Sequence, residues 1–151
     1  GDETGRGLTM RAAFFLLFMM LPFPAAAFEP QEAARALNAL LAENNRAALT
    51  YSKQLGRAAS AHAQDMATKG YFAHQGADGS SAGERARAAG YGWCYVAENI
   101  AKGQQSLNAV LSAWEASHGH RKNMLSRKAQ HFALARAPGD IWVLLLARPG
   151  C

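Results

Sequence analysis

Imidazole, carboxylate and thiol groups are the side chains that hold metals, move protons or form covalent bonds, and this chain offers few of them outside ordinary surface charge. Its 151 residues include five histidines and two cysteines. His74 closes the segment Tyr71-Phe72-Ala73-His74, with Asp78-Gly79-Ser80 shortly after. Glu98 stands in Ala97-Glu98-Asn99-Ile100-Ala101, and two more histidines fall in Ser117-His118-Gly119-His120-Arg121-Lys122-Asn123-Met124-Leu125, behind Trp114. No His-Glu-x-x-His places two zinc ligands and a base on one helix, so a metalloprotease has no motif here. Ser117 near His120 comes from a helix-end context, where it could only mimic a nucleophile and base pair. His62 lies on an apolar stripe and reads as a core histidine. Asp78 reads as a turn and cap residue, since Asp and Gly favour tight turns and Ser favours helix starts.

The compartment decides how the cysteines read. Met10 and Arg11 precede the apolar run 12–24, and Ala25, Ala26 and Ala27 follow it as small residues suited to signal-peptidase cleavage. Residues 1–27 are therefore expected to be an upstream extension plus a cleavable signal peptide, and 28–151 one globular domain. The apolar run is short and interrupted by proline, so no transmembrane span is expected in the mature chain. In a secreted or periplasmic protein an even cysteine pair favours a disulfide over a metal site or a catalytic thiol, which pairs Cys94 with Cys151. The net charge of +5 survives loss of the leader, because Arg6 and Arg11 leave together with Asp2 and Glu3. Arg121, Lys122, Arg127 and Lys128 are the densest basic group, and no aromatic residues interleave with them as a nucleic-acid platform requires. A solvated basic face and no nucleic-acid partner are expected.

Hydrophobic periodicity supplies the elements that must position these groups. Leu37, Leu40 and Leu41 recur at helical spacing within 32–44. Leu55, Ala58, Ala59, His62, Ala63 and Met66 do the same over 52–68, where Gly70 supplies a stop. Ser81 and Glu84 have capping-box spacing ahead of a third helix, with Gly90 as its C-terminal signal. Trp93, Tyr95, Val96 and Ile100 favour a strand over 93–100. Ser106 opens a fourth helix through Val110, Leu111 and Trp114, and a short turn of helix is expected over 120–125. Two strands, 131–137 and 141–147, end the chain about the turn Pro138-Gly139-Asp140. Helices come first and strands cluster late, which predicts an α+β architecture with helices on a small antiparallel sheet.

Taken in order, the three segments quoted above, together with Ala61-His62-Ala63-Gln64-Asp65-Met66, resemble the bacterial branch of the CAP superfamily (cysteine-rich secretory, antigen 5 and pathogenesis-related 1 proteins; SCP domain). The likeness covers nearly all of the mature chain. It implies a three-layer α-β-α sandwich, export, and one concave groove lined by two histidines and two acidic residues. Carried over by position, those are His74, Glu98 and His120. The fourth position, three residues after Trp114, holds Ser117 where eukaryotic relatives have Glu. Glu115 is the nearest acid, and two positions on a helix turn it by about 200 degrees from the Ser117 direction.

Two imidazoles and a carboxylate suit zinc or another divalent cation with one position left for water. They also suit proton transfer in which Glu98 orients a histidine, or a structural cluster in which the carboxylate accepts hydrogen bonds across the groove. Arg121 and Asn123 match the bacterial motif and are expected to hold the short helix against the sheet. The expected function is that of an exported binding module, taken as a monomer, whose groove receives a divalent ion or a small hydrophobic ligand such as a lipid or sterol. The alternatives are a secreted hydrolase using His74, Glu98 and His120, and a cell-envelope interaction protein whose basic surface meets an anionic polymer.

Overall fold

The computed structural model describes residues 29–151, so the expected leader lies outside the described residues. The elements are α1 (Pro30–Glu43), β1 (Thr50–Tyr51), α2 (Lys53–Lys69), α3 (Ala82–Ala88), β2 (Trp93–Lys102), α4 (Leu107–Ala116), α5 (His118–Met124), β3 (His131–Ala137) and β4 (Ile141–Pro149). Local chemistry sets most of these limits. Ser52, Ser81 and Ser106 each accept a backbone N–H of the first turn of the helix that follows, and Glu84 returns the bond to complete a capping box on α3. Gly70 ends α2 with φ at 69°, a left-handed conformation that glycine adopts without a Cβ penalty.

The four strands form one sheet in the order β1-β3-β4-β2. β4 is antiparallel to both of its neighbours, β2 and β3, whereas the two-residue β1 adds to the far edge parallel to β3, pairing Thr50 with His131. That edge strand was not expected, because two residues carry no readable periodicity. β2 is therefore an edge strand, and it runs two residues beyond the predicted end to Lys102.

Side chains alternate across a strand, and here they feed two separate cores. Phe132, Leu134, Trp142, Leu144 and Leu146 face α1, α4 and α5, where Leu37, Leu41, Leu111, Trp114 and Met124 pack. Ala133, Ala135, Val143, Leu145 and Ala147 face α2, where Leu55, Ala59, Ala63 and Met66 pack. This makes an α-β-α sandwich, and burial on both faces explains why β4 reads as an unbroken apolar run. α3 is anchored to β2 through Trp93, whose indole N–H donates to the carbonyl of Gly83 at 2.7 Å while Arg87 lies 4.3 Å from the ring centroid. Gly83 has to be glycine for this contact, since a Cβ there would run into the Trp93 ring.

Cys94 and Cys151 form the disulfide, with their Cα atoms 5.1 Å apart. The β2–β4 register shifts between Trp93 and Tyr95, so Cys94 sits in a bulge that turns it toward the end of β4. The bond ties the start of the edge strand to the chain terminus across 57 residues.

Candidate functional site

The alternation that builds two cores also splits the central segment of β2. Glu98 lies opposite Leu145, on the α2/α3 face, and Asn99 lies opposite Leu144, on the α1/α4/α5 face. Both are buried polar residues, and each ties the sheet edge to a different helical layer.

On the first face the Glu98 side chain is only 4% exposed, and both of its oxygens are engaged. Oε1 accepts from His74 Nδ1 at 2.9 Å and Oε2 accepts from Arg85 Nη2 at 2.8 Å. A carboxylate only accepts, so the His74 proton resides on Nδ1 and its Nε2 is the free acceptor. Arg85 also donates to the backbone carbonyls of His74 at 2.9 Å and Ser80 at 2.7 Å. One residue earlier, His62 Nε2–H donates to the Ala73 carbonyl at 2.9 Å. The backbone that carries His74 is thus held on both sides, while the imidazole itself is 61% exposed. At the end of α2 that leads into this loop, the Asp65 carboxylate accepts from Tyr71 at 2.6 Å and pairs with Lys69; Lys69 and then Tyr71 draw its pKa down to about 2. Asp78 closes an Asx turn on Ser80 N–H at 2.9 Å, the local role its type suggests.

On the second face Asn99 Nδ2 donates to the His120 carbonyl at 3.0 Å, and Asn123 Nδ2 donates to Asn99 Oδ1 at 2.9 Å, so both ends of the Asn99 amide fix α5 to the sheet edge. Burial, and then the charge of His74, lower the His120 pKa. Ser117 forms the junction of α4 and α5 without capping α5 through its side chain. Arg121 does not reach the sheet as expected. It donates to Asn44 Oδ1 at the end of α1, at 2.7 Å.

Among the described residues no group of three or more His, Cys, Asp and Glu side chains is arranged to hold a metal ion. At Glu98 both oxygens are already engaged, Oε1 by His74 and Oε2 by the Arg85 guanidinium at 2.8 Å. As arranged here, His74, Glu98 and His120 do not form such a group.

A protein-family model described as the cysteine-rich secretory protein family, CAP, matches residues 33–144, well over half of the chain. The chain belongs to the CAP family. YkwD of Bacillus subtilis (strain 168) is 37% identical over 95 residues, which is 62% of this chain and 37% of that protein, so the CAP domain here spans little more than a third of that relative. Among solved structures, an extracellular SCP-domain protein from Bacillus anthracis superposes with a TM-score of 0.74 at 25% identity, covering 78% of this chain and 39% of that one. An outer surface protein from Borrelia burgdorferi matches with a TM-score of 0.69 at 18% identity, covering 84% of this chain and 100% of that one.

Within this CAP domain the residue that sequence reasoning missed is Arg85. Its only signal is indirect: the Ser81–Glu84 capping box fixes the register of α3, and Gly83 and Ala86 are buried, but nothing in the local pattern shows that the neighbouring guanidinium meets Glu98. His62 is buried as expected, yet only half satisfied, since no hydrogen-bond partner reaches its Nδ1.

Burial, and then the nearby charge of Arg85, lower the His62 pKa. The folded value lies below the ordinary histidine value of about 6.5, so on acidification the unfolded chain takes up the proton first. The stability is complete above that value and is lost as pH falls through it, until the folded histidine also protonates. His120 shifts in the same direction. Urea unfolding at pH 7.5 and 5.5 should show the loss, and His62→Gln, which keeps a donor for Ala73, should reduce it. An unchanged pH slope in the variant would remove His62 from the effect.

Proposed function

We propose that this CAP domain is an exported binding module that presents the imidazoles of His74 and His120 to a divalent ion at the β2 edge. The observation that carries this reading is the hydrogen bond from His74 Nδ1–H to Glu98, itself braced by Arg85. A carboxylate on one ring nitrogen fixes the tautomer and turns the other nitrogen outward as a ligand, the arrangement found behind metal-binding histidines. Zinc suits such nitrogen donors, and with two protein ligands it would keep water or a second molecule in its remaining positions. Export is supported by the leader-like N-terminus, the disulfide, and relatives described as extracellular or outer surface proteins. No helix among the described residues is long and apolar enough to cross a membrane.

The same His74–Glu98 pair resembles the base-and-orienter half of a hydrolytic site. The nucleophile half has no counterpart, since among the described residues no Ser, Thr or Cys side chain hydrogen-bonds to His74 or His120. A binding role fits the geometry better than turnover.

Calorimetric titration with zinc tests the reading. One saturable site is expected, lost in the His74→Ala/His120→Ala double variant. Glu98→Gln should weaken it by about 10–100-fold without abolishing it. Binding retained in the double variant, or none in the parent, would overturn the ion site and direct the search to apolar ligands.

A further inference from the structure

On the other side of α5 the fold gathers positive charge that the histidine site does not use. A cavity of about 540 Å³ is lined by Arg46, Arg121, Lys122, Arg127, Lys128 and the ring of Tyr95 among others, and no Asp or Glu contributes to its wall. None of these five cations takes part in an ion pair among the described residues; the four pairs there involve Lys69, His74, Arg85 and Arg136 instead. Four of the five are near neighbours in sequence, but Arg46 comes from the loop after α1 and is brought in by the fold.

Two of the arginines are held in place by uncharged acceptors. Arg46 Nε donates to the Leu125 carbonyl at 2.8 Å, and Arg121 donates to Asn44 Oδ1 at 2.7 Å. These bonds fix both guanidinium groups while leaving their charge uncompensated and most of their donors unused. Lys128 Nζ lies 5.8 Å from the Tyr95 ring centroid, so an aromatic wall stands beside the charges. Like charges collected round one hollow repel each other and do nothing for folding. They do lower the cost of bringing a multiply charged anion out of water. Fixed forks and point charges together match phosphate oxygens, and a cavity of this size is in the range of small-ligand sites.

We propose that this cavity binds a phosphate-bearing ligand carrying at least two negative charges. The site is separate from the zinc site proposed above: neither His74 nor His120 lines it. The phosphate can belong to a soluble molecule or to a lipid headgroup, and the two sources are separable by experiment.

The purified protein is titrated with inorganic pyrophosphate by calorimetry, beside the triple variant Lys122→Gln/Arg127→Gln/Lys128→Gln and the single variant His74→Ala. The three altered residues are exposed and none donates a side-chain hydrogen bond that holds the fold. Saturable binding is expected in the parent and in His74→Ala, about tenfold or more weaker in the triple variant given ordinary contributions from three exposed charges, and several-fold weaker at raised salt. The triple variant should also melt no lower than the parent, since it relieves repulsion. Sedimentation with vesicles of cardiolipin in phosphatidylcholine, with phosphatidylcholine vesicles as the control, distinguishes the sources, since a cardiolipin headgroup carries two phosphates. Binding to the first alone, lost in the triple variant, assigns a headgroup; pyrophosphate binding without vesicle binding assigns a soluble phosphate. Absence of both, or either one retained undiminished in the triple variant, overturns the proposal.

Discussion

Replacing Arg85 by methionine should cost about 3–5 kcal/mol of stability, the ordinary consequence of leaving a buried carboxylate without its cation. The Glu98 side chain is 4% exposed and Arg85 12%, so water cannot stand in for the lost partner. The same change frees the carbonyls of His74 and Ser80, which removes one of the two clamps on the backbone carrying the imidazole. Chemical denaturation of four proteins separates these contributions: the parent, Arg85→Met, Glu98→Gln and the double variant. Arg85→Met should be much less harmful in the Glu98→Gln background, because the uncompensated charge is then absent. Equal costs in both backgrounds would show that Arg85 acts through the loop carbonyls alone.

Removing the disulfide by Cys94→Ser/Cys151→Ser should cost roughly 2–4 kcal/mol. Closing a loop of 57 residues contributes on the order of 4 kcal/mol in the chain-entropy account, which is the upper end. In a domain of this size that is a fall in Tm of about 10 °C. A reductant should lower the melting temperature of the parent by a similar amount and leave the double variant unmoved; no response of the parent to reductant would contradict the role assigned to the bond. Because the bond pins the start of the edge strand that carries Glu98, its loss should also loosen the histidine site. The expected readout is weaker zinc binding in the serine variant even under conditions where it is fully folded.

The sequence was informative where a local rule suffices. Ser52, Ser81 with Glu84, and Ser106 announce helix starts because capping chemistry acts over three residues. The strand 131–137 and its turn were legible because the apolar run ends at Pro138-Gly139-Asp140, where Gly139 and Asp140 both take positive φ. The cysteine pairing followed from the number of cysteines and the expected compartment. What was not legible depends on distance through the fold. β1 exists only because β3, far along the chain, lies beside it. Arg121 points to the end of α1 and not to the sheet, because Asn44 offers an acceptor that no sequence window contains. The pairing of Glu98 with Arg85 was hidden for the same reason: 13 positions separate two residues that β2 and α3 bring together. The basic group near α5 is exposed as expected, but Arg46, which joins it in lining the cavity, lies far outside its sequence window.

The central claim is that Glu98 acts through His74, fixing its proton on Nδ1 and leaving Nε2 to a ligand. Nitrogen-15 NMR of the histidine side chains, before and after one equivalent of zinc, tests this most directly. The predicted result is an Nδ1–H tautomer for His74 in the free protein, with zinc then shifting Nε2 of His74 together with a ring nitrogen of His120. An Nε2–H tautomer for His74, or zinc that leaves both histidines unmoved, would contradict it.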